Sequence, residues 1–378
     1  WLKAQESLLG STLAAVGGLR TMGGDSEVVG DSALALRGGW PRLLLWLGSG
    51  GAAAAAAWWW FFRRRGCPRT QRVRLEALLV YPIKGCKGHS LARVDLTPWG
   101  LRDDRLYMIV DEKDKFLSQR QLPRMSLIHP DLPTAEGITL RAIAAEGAKG
   151  DGEDLPAPLF VPRAPERVGV AAERLVQVWS DKVIAVDQGD EAAAWLQAFL
   201  GQKGVRLMRV ADSAHRATDA AFGIGETGFA DGFPILVTSQ ASLNDVNNKV
   251  KGTEIKLNRF RTNVHISGCG PWEEDEMRAI SFGEVGSPAV RLSLVKPCGR
   301  CTVPTLHQET GVRTSGGEPI KTLRRYREGS RLQWTARLHR AHFANPENHT
   351  EVFFGQNALV EFSSGAALTV GDFATVEL

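Results

Sequence analysis

The residues with the most chemistry for their spacing lie in KPCGRCTVP, residues 296–304, where Cys298 and Cys301 form a Cys-x-x-Cys pair bracketed by Pro297 and Pro304. Four readings fit that spacing. Half of a zinc site would need a second local pair of ligands; no second Cys-x-x-Cys exists, and Cys269 and His307 stand at unusual spacings for one. A redox dithiol would place its first cysteine at a helix N-terminus in a βαβ unit, but here the strand-like AVRLSLVK leads in and Thr302-Val303-Pro304 starts a helix poorly. Two packing cysteines are the bland alternative, since free cysteine is often buried. The fourth reading is one thiolate that ligates a soft or redox-active metal centre beside a bystander. A centre carried by an anionic cofactor would need fixed cations, and Lys84 in YPIKG, Arg105 in RDDRLY, and Arg259 and Arg261 in RFRTN are candidates.

The elements that must position these residues are mostly short strands. RLEALLVYPIKG reads as a strand entering a turn, and DRLYMIVDEKDKFLS as a hairpin broken at residues 111–114. Asp190 is expected to cap the helix EAAAWLQAFL, which Gly201 ends. FPILVTSQASLNDVNNK reads as a buried strand, a Ser239 cap and a short helix, and the remainder is strand-rich. With 40 Gly and 18 Pro, the pattern predicts a mainly β, α+β chain with β-barrel-like cores and peripheral helices.

Leu43 to Phe62 is an uncharged run ending in three tryptophans and two phenylalanines, followed by Arg63-Arg64-Arg65. Its length suits one transmembrane helix, and the arginines place the C-terminal body in the cytosol. Arg63, Arg64, Arg65, Arg69, Arg72 and Arg74 exceed the net charge of +4, so the basic character is local and argues against nucleic-acid binding. Five scattered cysteines argue against a secreted disulfide framework. The expected organisation is an N-terminal extension or targeting segment (1–42), a transmembrane anchor (43–62), a basic linker (63–73) and two folded regions (74–210 and 211–378).

YPIKGCKG and GLRDDRLYMIVDEKDKFLSQRQLPRM resemble the N-terminal β-barrel region of MOSC proteins. DGFPILVTSQASLNDVN, LNRFRTNVHISG and KPCGRCTVPTLHQETG resemble the MOSC domain itself. With the apolar run ahead of them, the order resembles the mitochondrial amidoxime-reducing components. The resemblance implies a molybdenum cofactor (Mo-molybdopterin) with Cys301 as the protein's metal ligand. It implies Lys84, Gly85, Arg105, Gly232, Arg261, Asn263 and Arg300 as cofactor contacts, and Asp231 as a catalytic group facing the metal. The implied activity is reduction of N-hydroxylated compounds such as amidoximes, N-hydroxyguanidines, hydroxamic acids and hydroxylamines. Electrons would come from NADH through cytochrome b5 reductase and cytochrome b5 at the mitochondrial outer membrane, with the peroxisome as an alternative address. Rival readings are a molybdenum cofactor carrier or sulfuration module, and a membrane-tethered binding protein without a metal. Gly85 and Gly299 stand where serine is common in relatives, and Phe233 where a smaller polar residue is, which bears on substrate preference.

Overall fold

The computed structural model describes residues 72–147, 155–163, 173–284, 286–332 and 342–378. The apolar run 43–62 lies outside them; among the described residues no helix is long and apolar enough to cross a membrane. The strands that position the site are β1 (Arg72–Val80), β2 (Ile83–Lys84), β3 (Tyr107–Val110), β4 (Glu173–Val178), β5 (Asp181–Asp187), β6 (Arg206–Val210), β7 (Ile235–Ser239), β8 (Val264–Ser267), β9 (Ala279–Glu284), β10 (Ser287–Gly299), β11 (Phe353–Phe362) and β12 (Phe373–Glu377). The helices are α1 (Asp190–Leu200), α2 (Gln240–Lys249) and α3 (Ile320–Arg327).

The largest sheet runs β8-β7-β11-β10-β9-β12-β1 and continues to a short strand, His89–Leu91; β1 also pairs with β8, which closes the first seven into a barrel. Closure leaves no free edge in this ring. Inward residues such as Val73, Leu75, Val237, Ile266, Ile280, Leu292 and Ala358 fill one apolar core. β1 alternates exposed Arg72 and Arg74 with buried Val73 and Leu75 over its first turns, the period-2 signature of a strand buried on one face. The barrel therefore takes a strand from the 74–210 region as well as from the C-terminal residues.

A second sheet runs β4-β5-β6-β3-β2, with β2 and β3 parallel and Lys84 opposite Met108. Helix α1 lays Trp195, Leu196, Phe199 and Leu200 into the core on one side of it, and Gly201 ends the helix at φ +67°. The cap expected from Asp190 is absent. Gly189 is the N-cap residue, and Asp190 sits in the first helical turn, where its Oδ1 accepts from Arg206 Nη2 at 2.9 Å. The salt bridge engages the carboxylate that would have capped the helix. The expected hairpin at 104–118 is reduced to β3 and a single bridge between Val110 and Phe116, because Asp111 Oδ1 accepts the N–H groups of Lys113 and Lys115 and tightens the turn.

Helix α2 is capped as expected: Ser239 Oγ accepts from the Ser242 N–H. Both serine hydroxyls then donate to Glu274 Oε2, at 2.9 and 2.8 Å, while Glu274 Oε1 has no partner among the described residues. Burial, reinforced by neighbouring Asp275, pushes the Glu274 carboxyl up to about 7. A carboxyl raised on folding makes the folded state bind more protons than the unfolded chain above the unfolded value near 4.5. Wild-type stability is therefore expected to fall as pH rises from about 4.5 through 7, by on the order of 1 kcal/mol or more, relative to Glu274→Gln. Chemical denaturation of both proteins at pH 5 and pH 8 measures the difference; parallel pH profiles would refute it.

Candidate functional site: a cationic cavity around Cys301

The nine residues implied by the resemblance (Lys84, Gly85, Arg105, Asp231, Gly232, Arg261, Asn263, Arg300 and Cys301) all line one cavity, whereas Arg259, the fourth candidate cation, is buried against His307 and does not line it. They arrive from five places in the chain. Lys84 ends β2, Arg105 precedes β3, Asp231 and Gly232 precede β7, Arg261 and Asn263 precede β8, and the cysteines stand at the end of β10. The register of β10 against β11 slips twice, between Leu294 and Lys296 and between Pro297 and Gly299. Such bulges re-aim side chains and accommodate a proline that cannot donate to the ladder. They turn the Cys298–Cys301 segment out of the barrel wall and into the cavity.

The two thiols are unequal. Cys298 is half-buried, and its Sγ accepts from Arg300 Nη1 at 3.0 Å; burial pushes its thiol up, against the pull of Arg300. Cys301 is exposed in the cavity, and its Sγ accepts only a long contact, 3.5 Å, from the Val303 N–H at the start of a short 3-10 turn. Cys269 packs against the barrel core, and burial pushes its thiol up to about 11. His307 is bonded to Arg259 instead of facing the cysteines. Neither lines the cavity, and among the described residues no cluster of three or more His, Cys, Asp or Glu is placed to hold a metal ion.

Lys84, Arg105, Arg120, Arg261 and Arg300 put five cations on the cavity wall against one carboxylate, Asp231. Lys84 Nζ donates to Phe229 O at 2.9 Å and Asp231 Oδ1 at 2.5 Å; burial lowers its pKa even so. Arg105 is held by Asp104 Oδ2, Asn263 Oδ1 and Arg261 O at 2.5–2.9 Å, in a left-handed backbone at φ +49°. Arg261, at φ +56°, donates Nη1 to Cys86 O, while its Nη2 is buried without a partner among the described residues. Arg300 Nε is likewise buried and unpartnered. Unsatisfied buried guanidinium donors are costly unless a ligand completes them. Among the described residues, the buried unpaired donors on this cavity wall are Arg261 Nη2 and Arg300 Nε, whereas Lys84 and Arg105 are largely engaged within the protein.

Asn263 is a wall residue whose side chain is occupied: Oδ1 accepts from Arg105 and from the Leu236 N–H, and Nδ2 donates to Leu79 O. Desolvation works against ionisation of Asp231, but Lys84 beside it and a Trp179 Nε1–H bond at 3.1 Å outweigh that and hold the carboxyl well below the usual carboxylate range. The Asp231 side chain is 76% exposed and that of Lys84 9%, so the ion pair is screened by solvent from the carboxylate side.

Residues 72–203 match the MOSC N-terminal beta barrel domain, and residues 225–373 match the MOSC domain. The chain is 33% identical over 271 residues to mitochondrial amidoxime-reducing component 1 of Mus musculus, covering 68% of this chain and 73% of that protein. This chain belongs to the MOSC-domain family. It is also 30% identical over 260 residues to the Homo sapiens protein of the same name, covering 66% of this chain and 71% of that one. Molybdenum cofactor sulfurase of Anopheles gambiae is 30% identical over 271 residues, covering 67% of this chain but 33% of the sulfurase.

Three features of this MOSC cavity lay beyond the sequence reading. Arg216, 5% exposed, donates Nη1 to Gly228 O and Ala230 O and Nη2 to Asp231 O, so one guanidinium holds the loop that presents Asp231. Trp179, at the turn between β4 and β5, lines the cavity. Arg120 stacks on the Trp179 ring, 4.7 Å from its centroid. No motif marks Arg216 or Trp179, and Arg120 stands without a stated role in the 100–125 stretch; the partners named here lie 12 to 59 residues away in sequence.

The glycine at position 85 has a local cause. Its φ is +83°, and a Cβ there would stand 2.7 Å from Met125 Cε. Gly85→Ser is expected to cost about 1–3 kcal/mol of stability, from left-handed strain and displacement of Met125. A lowered denaturation midpoint checks this, and an unchanged midpoint would contradict it. At Gly299 the obstacle is softer: a Cβ would meet the flexible end of Glu351 at 2.5 Å. Phe233 does not stand alone in the wall, but packs with Phe222, Val295 and Leu359 as a small apolar cluster.

Proposed function

We propose that this chain is a molybdenum-cofactor-dependent reductase of N-hydroxylated compounds, fed with electrons from NADH by cytochrome b5 reductase and cytochrome b5. The observation that carries the reading is the pairing of one exposed thiol, Cys301, with a cavity whose excess cations include two guanidinium groups with unused buried donors. Those residues fit an anionic cofactor that brings a soft metal and takes one protein sulfur. Arg261 and Arg300 would hold its anionic groups, with Lys84 and Arg105 adding charge from behind, and Cys301 would ligate the metal. When bound, the cofactor supplies the two-electron chemistry that removes oxygen from an N–OH group, with two protons, releasing water.

The chain's own residues then orient and solvate. Asp231, held as a carboxylate, is a hydrogen-bond acceptor near neutrality and positions N–H groups of the substrate instead of donating a proton. Lys84 keeps that carboxylate in place through its 2.5 Å contact. The mitochondrial outer membrane, or the peroxisome, is the proposed location, with the anchor at residues 43–62. The test is molybdenum and pterin analysis of the purified protein, followed by NADH oxidation with benzamidoxime and the two electron-transfer proteins. Stoichiometric cofactor with benzamidoxime-dependent turnover is the expected result. Cofactor without turnover favours a carrier or sulfuration module, the reading suggested by similarity to part of a molybdenum cofactor sulfurase. No cofactor would refute both.

A further inference from the structure

Trp179 sits on a wall shared by two depressions. With Phe116 and Arg120 it lines the Cys301 cavity, and the same three side chains line an adjoining groove bounded by Asp111, Lys115 and Gln177. The indole is pinned from several sides. Its Nε1–H donates to Asp231 Oδ1 at 3.1 Å, Phe116 packs at 5.0 Å between centroids with a 56° tilt, and Arg120 lies 4.7 Å from its centroid. Its backbone is left-handed, φ +56°, unusual for a bulky residue and a conformation retained where surroundings over-determine it. Even so, 45% of Trp179 remains exposed, among the larger exposed apolar side chains described. Beside it, Asp231 Oδ1 takes both the Lys84 and the Trp179 bonds, and among the described residues no hydrogen bond is made to Oδ2.

We infer that Trp179 is a specificity-determining residue of this cavity, favouring aromatic substituents on the group held at Asp231 Oδ2. This rests on the reductase reading and adds to it a residue that selects among its substrates. The chemistry is complementary on both counts. A planar N–C–N group donates N–H to a carboxylate oxygen that is free to accept, and an attached ring lies against the indole and continues over the shared wall into the adjoining groove. Aromatic contacts of this kind contribute roughly 0.5–1.5 kcal/mol beyond area burial, about two- to twelvefold in affinity. A hydroxamic acid or simple aliphatic hydroxylamine lacks either the N–C–N donors or the ring and gains less.

The test uses benzamidine and acetamidine, which carry the recognised group but cannot be reduced at N–OH, so binding is read without turnover. Calorimetric dissociation constants are measured on the cofactor-loaded protein, with molybdenum and pterin content determined on the same samples. Trp179→Leu is expected to weaken benzamidine about fivefold or more while changing acetamidine less than twofold, and Trp179→Phe to retain most of the benzamidine affinity. Asp231→Asn is expected to weaken both amidines. Equal loss of both ligands in Trp179→Leu, or no loss of either, would overturn the inference, because a merely structural tryptophan does not discriminate the ring. The cofactor analysis reports separately on the reductase reading, so its failure and that of the Trp179 assignment are distinguishable.

Discussion

Cys301→Ser is expected to abolish N-reduction, a loss of more than about a hundredfold, whereas Cys298→Ser retains activity within about fivefold of wild type. The asymmetry follows from the positions of the two sulfurs. Cys301 is exposed in the cavity with one weak N–H contact, so its sulfur is available to a metal. Cys298 is half-buried, and its sulfur is an acceptor for Arg300 Nη1 at 3.0 Å. A serine oxygen at position 298 can still accept that bond, so the expected penalty is that of one altered charged hydrogen bond, about 1 kcal/mol. At position 301 oxygen would replace the soft ligand proposed for the metal, and even the partners of metal ligands cost roughly 10–100-fold when removed. Turnover with benzamidoxime, together with bound molybdenum in each variant, measures the contrast. Equal losses in both variants would restore the dithiol or zinc alternatives.

Arg216→Leu is expected to destabilise the protein by about 3–5 kcal/mol, because several buried carbonyls lose their donor at roughly 1–3 kcal/mol each. It should also impair the cavity. The guanidinium donates to three backbone carbonyls of residues 228–231 and, through Nε, to Asp181 Oδ2 at 2.8 Å. Leucine fills similar volume but leaves those carbonyls without donors in a place where Arg216 itself is 5% exposed. Arg216→Lys keeps the charge but not the planar fork, so it should recover only part of the loss. Urea unfolding measures the first effect. For the second, the amidine dissociation constants report Asp231 placement, since the Arg216 bond to Asp231 O fixes the backbone from which that carboxylate extends. Arg216→Leu with wild-type stability and unchanged amidine affinity would show that the loop holds itself.

Much of the cavity was legible in the chain because its residues sit in compact motifs. YPIKG, RDDRLY, RFRTN and KPCGRC each place a cation or a thiol at a strand end, and all of these motifs meet at one cavity. Alternation and helical spacing likewise located β1, β7, α1 with its Gly201 stop, and the Ser239 cap of α2. Local rules are sufficient there because period, capping and turn chemistry act over a few residues.

The sequence by itself determined the inventory: which side chains could bind an anion or a soft metal, and which short elements would carry them. Only the tertiary structure decided their division of labour. Lys84 meets Asp231 across 147 residues and Arg105 meets Asn263 across 158, so neither engagement is visible in a local pattern. The same holds for Asp190, drawn into a salt bridge with Arg206 sixteen residues later instead of capping its helix. Hydrogen-bond capacity is allotted among whatever groups the barrel closure and sheet packing bring within about 3 Å. That allotment leaves Arg261 Nη2 and Arg300 Nε buried without a partner among the described residues and the Cys301 thiol exposed in the cavity, and it makes Trp179 and Arg216 part of the site without any motif to announce them.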